Sequence, residues 1–157
     1  MDKTSVLFVC LGNICRSPLA EGVFVAQLRK KNLSSHFKVD SCGTGGWHAG
    51  EPPHSGSISI AQERGLDISQ QRSRKLRPSD FESYDWLIAM DASNERHLRE
   101  EAPSHFNPER IVRLLEFASD TDHLDVPDPY YVGGFDIVFD LIDNGCQGLL
   151  DHLQESA

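Results

Sequence analysis

Short apolar runs at residues 6–10 and 86–90, and strand-length segments at 37–41 and 111–115, alternate with stretches whose apolar residues recur at helical spacing. That alternation constrains the fold more than any other feature of the chain. Runs of this length are too short for helices and lack the in-out alternation of a half-wet strand, so they read as strands buried on both faces. Strands separated by helices pair in parallel through right-handed crossovers. The expected fold is α/β: a four-stranded parallel sheet with helices on both faces. The helices are placed from Ser17-Pro18, read as N-cap and first helical position, toward Arg29-Lys-Lys31; over 55–64, ending at Gly65; from Asp91-Ala-Ser-Asn, stopping before Pro103; and from Phe135 through Leu153. The chain has 157 residues and no internal repeat or linker, so it reads as one domain over 1–157.

In a parallel sheet, ligands sit beyond the carboxyl ends of the strands. The loop after the first strand is Cys10-Leu-Gly-Asn-Ile-Cys-Arg-Ser17. A nucleophile ends the buried strand and an arginine opens the next helix. Gly12 and Asn13 tolerate the left-handed backbone that so short a loop needs. The amides of Leu11, Gly12, Asn13, Ile14, Cys15 and Arg16 are then free to turn inward as an anion-binding nest, reinforced by the helix N-terminus. Arg16 offers a planar fork for two phosphoryl oxygens. This field favours the thiolate, the form of cysteine that attacks phosphorus, and the Ser17 hydroxyl is placed to donate to it. A C-x5-R spacing alone is a weak signal; the strand before it, the helix after it, and the Gly, Asn and Ser-Pro within it make it specific. A nucleotide-binding loop of the G-K-[ST] type is excluded by the absence of that sequence.

Asp128-Pro-Tyr-Tyr131 lies in a loop before the last helix. Expelling an alkoxide or phenoxide from phosphorus needs a proton donor, and Asp128 can supply it. Tyr130 and Tyr131 would wall a slot for an aromatic ring, with Trp47 facing them.

Together these motifs closely resemble the low-molecular-weight protein tyrosine phosphatases, bacterial members above all. The resemblance runs nearly end to end, through Gly43-Thr-Gly-Gly-Trp47 and Met90-Asp-Ala-Ser-Asn94. It implies attack by Cys10 on a phosphomonoester, a cysteinyl-phosphate, proton transfer by Asp128 and binding of the equatorial oxygens by Arg16. It implies phosphotyrosine in proteins, and small aryl phosphates, as substrates, with no metal and no cofactor. It further implies that Asn13 holds the loop, that the chain is a monomer, and that Cys15 can reach Cys10 under oxidation. Two positions depart from animal members: His48 follows the tryptophan where they have asparagine, and Gln71 precedes Arg72-Ser-Arg74 where they have a histidine. No charged-histidine network is therefore carried over.

A thiol-dependent arsenate reductase would need two further cysteines close together, whereas Cys42 and Cys146 stand apart. A protein-arginine phosphatase would carry threonine in place of Ile14. A phosphate-binding module without catalysis would need neither Cys10 nor Asp128. Lys plus Arg number 15 against 24 Asp plus Glu, a net charge of −9 that argues against nucleic acid or an anionic membrane as partner. No run is long enough to span a bilayer and none carries a cleavable flank, so a cytoplasmic protein with reduced thiols is expected. The seven histidines show no metal-binding spacing. The basic stretch 72–77 reads as a solvated face. Glu21 and Asp40 stand either behind the loop or on the surface. Asp91 reads equally as a helix cap or as part of the loop's face.

Overall fold

Val6, Phe8 and Cys10 of the first strand point to one side and Leu7 and Val9 to the other; all five are buried. A strand buried on both faces must be central, and in the computed structural model it is. The structure describes residues 3–155, with the backbone alone at Tyr131 and Val132. Strands β1 (Thr4–Cys10), β2 (Phe37–Gly43), β3 (Trp86–Ala89) and β4 (Ile111–Arg113) form one sheet in the order β2-β1-β3-β4. Every pairing is parallel, with Val6 opposite Val39 on one side and Trp86 on the other.

Helices α1 (Arg16–Lys30), α2 (Ser55–Glu63) and α6 (Phe135–Glu155) cover one face. Their apolar stripes supply Leu19, Val23, Ile60, Val138, Ile142 and Leu149 to the larger core. The short helix α3 (Asp80–Ser83) and α4 (Ala92–Glu101) cover the other face, where Phe81 and Leu98 meet Leu7, Val9 and Leu87. The two-sided α/β sheet expected from the sequence is thus observed.

Three local expectations are corrected. Helix α1 begins at Arg16 with Cys15 at the N-cap and no side-chain cap, so Ser17 and Pro18 lie inside its first turn. A proline costs nothing there, because first-turn amides have no intrahelical partner. The fourth strand ends at Arg113, and Leu114–Phe117 turn into a 3-10 helix that carries Leu114 and Leu115 into the core. Residues 129–132, read as loop, form a one-turn helix α5 (Pro129–Val132) capped by the Asp128 side chain, which accepts from the Tyr130 amide at 3.1 Å.

Because β1 and β3 are neighbours but the chain leaves them in opposite directions across the sheet, their carboxyl ends flank the crevice where the order reverses. Cys10 ends β1, and Asp91 lies two residues past the end of β3.

Candidate active site

Residues 10–16 curl over the end of β1, and five of their carbonyls accept from segments outside the loop. Cys10 O accepts from Thr44 N, Leu11 O from Gly45 N, and Ile14 O from His54 N, at 2.7 to 2.9 Å. Gly12 O accepts from Ser73 Oγ at 3.0 Å and Cys15 O from Ser57 Oγ at 3.2 Å. With the carbonyls turned outward, the amides face the concave side. The Asn13 amide does so visibly, donating to Cys10 Sγ at 3.3 Å.

The left-handed residue in this curl is Asn13, at φ 56°. Gly12 is not, contrary to the sequence reading. Its missing side chain serves a close approach instead: a Cβ there would lie 3.1 Å from the His48 ring. Asn13 is 2% exposed and spends its side chain on the loop. Its Oδ1 accepts from Arg74 N at 3.0 Å, and its Nδ2 donates to Ser17 Oγ at 2.8 Å and to Ser41 Oγ at 3.0 Å. Ser17, fully buried, places Oγ 3.0 Å from Cys10 Sγ.

Arg16 is 2% exposed. Its Nη1 donates to Asp91 Oδ2 at 2.7 Å and to Val126 O at 2.8 Å, and its Nη2 to Asp128 Oδ2 at 3.4 Å. Burial works against its charge, but Cys10, Asp91 and Asp128 more than offset this and hold it protonated. Its Nε is buried with no partner among the described residues. An unmet charged donor of this kind is costly unless a ligand completes it.

Cys10, Leu11, Gly12, Ile14, Cys15, Arg16, Trp47, Asp128 and Tyr130 line one cavity of about 340 Å³, together with His48. The sequence reading thus placed nine of its candidates on a single concavity. Asn13 and Ser17 lie buried under it. Tyr131 follows in α5, but its side chain lies outside the described residues. Trp47 is 71% exposed, its ring folded against Gly45, and Tyr130 meets the His54 ring edgewise and the His48 ring at a tilt. Cys15 is buried; burial, with the charges of Cys10 and Asp128, pushes its thiol up to about 12.

His48, which the sequence marks only as a departure from animal members, also lines the cavity. It holds Glu51 at 2.8 Å through Nδ1 while its other edge faces Gly12. Gln71 does not join the polar network under the loop; it donates to Pro18 O at 3.1 Å, and the place beside Asn13 is taken by the Arg74 backbone. Nor is the basic stretch a uniform solvated face, because Arg74 turns inward onto Asp40 and Asp80. Among the described residues, no group of three His, Cys, Asp or Glu side chains is arranged to hold a metal ion, and no helix is long and apolar enough to cross a membrane.

The chain is similar to known proteins over nearly its whole length. The family model for low molecular weight phosphotyrosine protein phosphatase matches residues 5–157. The low molecular weight protein-tyrosine-phosphatase YfkJ of Bacillus subtilis is 47% identical over 151 residues, which is 96% of each chain. Its crystal structure superposes with a TM-score of 0.95, covering 99% of this chain and 98% of that one. PtpA of Staphylococcus epidermidis is 40% identical over 152 residues, 97% of this chain and 95% of its own. The protein tyrosine phosphatase of Entamoeba histolytica, crystallised with Hepes in its active site, is 35% identical, with a TM-score of 0.94 over 98% of this chain and 99% of that one. The match over nearly the full length makes this chain a member of the low molecular weight phosphotyrosine protein phosphatase family.

Proposed function

We propose that the protein hydrolyses phosphotyrosine in proteins, and small aryl phosphates, through a cysteinyl-phosphate on Cys10. The observation that carries this reading is the convergence of Cys10, Arg16 and Asp128 on one cavity, with Arg16 and Asp128 112 positions apart in sequence. Cys10 Sγ attacks phosphorus while the leaving phenoxide takes the proton of Asp128. Arg16 and the loop amides bind the equatorial oxygens, where charge collects in the transition state. Asp128, now a carboxylate, then draws a proton from water, which attacks the cysteinyl-phosphate and releases phosphate and the thiolate. The aromatic ring of the substrate lies against Trp47 and Tyr130, with Ile14 beneath the rim. No metal or cofactor enters these steps, and the chain acts as a single domain.

The test compares an aryl phosphate, a phosphotyrosine peptide, a phosphoarginine peptide and arsenate. The wild-type protein is expected to turn over the first two. Cys10→Ser should fold and still bind vanadate while losing at least about a thousandfold in turnover, the scale of lost covalent catalysis. Retained turnover in Cys10→Ser removes the cysteinyl-phosphate. A wild-type preference for phosphoarginine or arsenate replaces the substrate class.

A further inference from the structure

The polar chain beneath Cys10 does not end at Asn13. The orientation of the Asn13 amide follows from its neighbours. The Arg74 backbone N–H can only donate, and it meets Oδ1 at 3.0 Å, so Nδ2 faces the two serines. Each serine oxygen therefore receives a proton from Asn13 and has its own hydroxyl proton left to give. For Ser17 the nearer acceptor is Cys10 Sγ at 3.0 Å, against Cys42 O at 3.4 Å. For Ser41, which is 4% exposed, the acceptor is Glu21 Oε1 at 2.6 Å.

Glu21 lies on α1, one turn beyond Ser17, and the reaction scheme gives it no task. Without its oxygen the buried Ser41 hydroxyl would lack an acceptor and would have to rotate. Asn13 would then lose one of the three side-chain bonds that hold its left-handed backbone, which is itself unfavourable for a residue with a Cβ. We propose that Glu21 is a positioning residue for Cys10, acting as the end acceptor that fixes Ser41, and through Ser41 and Asn13 the curl and the donors that hold the sulfur. The proposal rests on the reading of Cys10 as the nucleophile.

The role needs an oxygen, not a charge. Burial pushes the Glu21 carboxyl up to about 7; Asp40 of β2 adds to the rise, while the Ser41 bond and Arg74, from the segment after α2, oppose it. Near neutrality the charge is partly lost, yet a protonated carboxyl keeps a carbonyl oxygen for Ser41. Glutamine offers the same oxygen.

The experiment measures two quantities: the rate at which iodoacetate alkylates Cys10, mapped by mass spectrometry, and kcat for an aryl phosphate. The variants are Glu21→Gln, Glu21→Leu, Ser41→Ala and the Glu21→Leu/Ser41→Ala double. Glu21→Leu and Ser41→Ala should each slow both rates about tenfold, as small misplacements of a reacting group do. Glu21→Gln should stay within about threefold of wild type, and the double variant should be no slower than the slower single, because both act through one contact. A double variant slowed about a hundredfold, or Glu21→Gln as slow as Glu21→Leu, overturns the proposal. If urea titration shows Glu21→Leu unfolded, Ser41→Ala decides, and wild-type rates from it overturn the proposal. Alkylation that follows the expected pattern in a protein without phosphatase turnover defeats the functional reading and leaves the role of Glu21 standing.

Discussion

Asp91 divides its two oxygens between two tasks. Oδ1 accepts from Asn94 N at 2.8 Å and starts α4, while Oδ2 holds Arg16. The sequence left cap and site as alternatives, and the residue is both. Asp128 has the same economy, with Oδ1 capping α5 and Oδ2 facing Arg16. Asparagine at 128 can keep the cap but has no proton to give. Asp128→Asn should therefore slow phosphotyrosine by roughly 10²–10⁴-fold and a nitrophenyl ester far less, since only the poor leaving group needs an acid. Equal losses on both esters would reduce Asp128 to a cap. Cys15 gives a second prediction. A sulfenic acid formed on Cys10 by peroxide should be captured by the Cys15 thiol, releasing water and leaving a disulfide that dithiothreitol reduces. A thiol pushed up to about 12 attacks slowly, so the rescue should hold at low peroxide doses and fail at high ones. After a low dose, wild type should recover its activity in dithiothreitol and Cys15→Ala should not; equal recovery would show that Cys15 only packs.

At the scale of elements, α6 lies closest to its neighbours at Gly148, where a Cβ would come within 1.8 Å of the Phe117 carbonyl oxygen. The clash is with backbone and no rotamer relieves it. Gly148→Ala should cost about 1–3 kcal/mol in urea unfolding, as overpacked cores do, although alanine raises helix propensity. A stabilised variant would mean that α6 and the 3-10 turn at 114–117 slide apart freely. Strands β1 and β3 were legible because a continuous apolar run has few other readings, and α6 because its apolar stripe runs from Phe135 to Leu153. The end of β4 was not, since Leu114 and Leu115 look alike in a strand and in a buried turn. In the site, Cys10, Arg16 and Asp128 were legible from residue type and spacing. Ser41, Ser57, Ser73 and the inward turn of Arg74 were not. A serine or arginine carries no local mark of its partner, and these partners come from distant segments. His48 had a faint signal in Glu51 three residues on.

For the whole molecule the relevant quantity is stability against pH. The folded protein holds the Glu21 proton up to about pH 7, whereas the unfolded chain releases it near the ordinary carboxyl value of 4.5. Between those values the folded state binds more protons, so this residue makes stability fall as pH rises, and the loss is complete above the folded value. The contribution is at most about 3 kcal/mol. Urea unfolding of Glu21→Gln should show a flatter pH dependence across this window, with the variant more stable than wild type at pH 8 relative to pH 5. Parallel curves would show that Glu21 ionises as freely in the fold as outside it. With a net charge of −9, the chain as a whole repels anions.

The chain has two tryptophans, and the fold separates them by environment. Trp86 sits on β3 under the Arg110 guanidinium and against His152. Trp47 stands at the mouth of the cavity, mostly in water. Its indole emission is therefore an intrinsic optical probe of occupancy. In a Trp86→Phe background, an aromatic phosphate entering the cavity would displace water from a single fluorophore and shift its emission to the blue. Binding would be readable in Cys10→Ser, where no product forms to be counted.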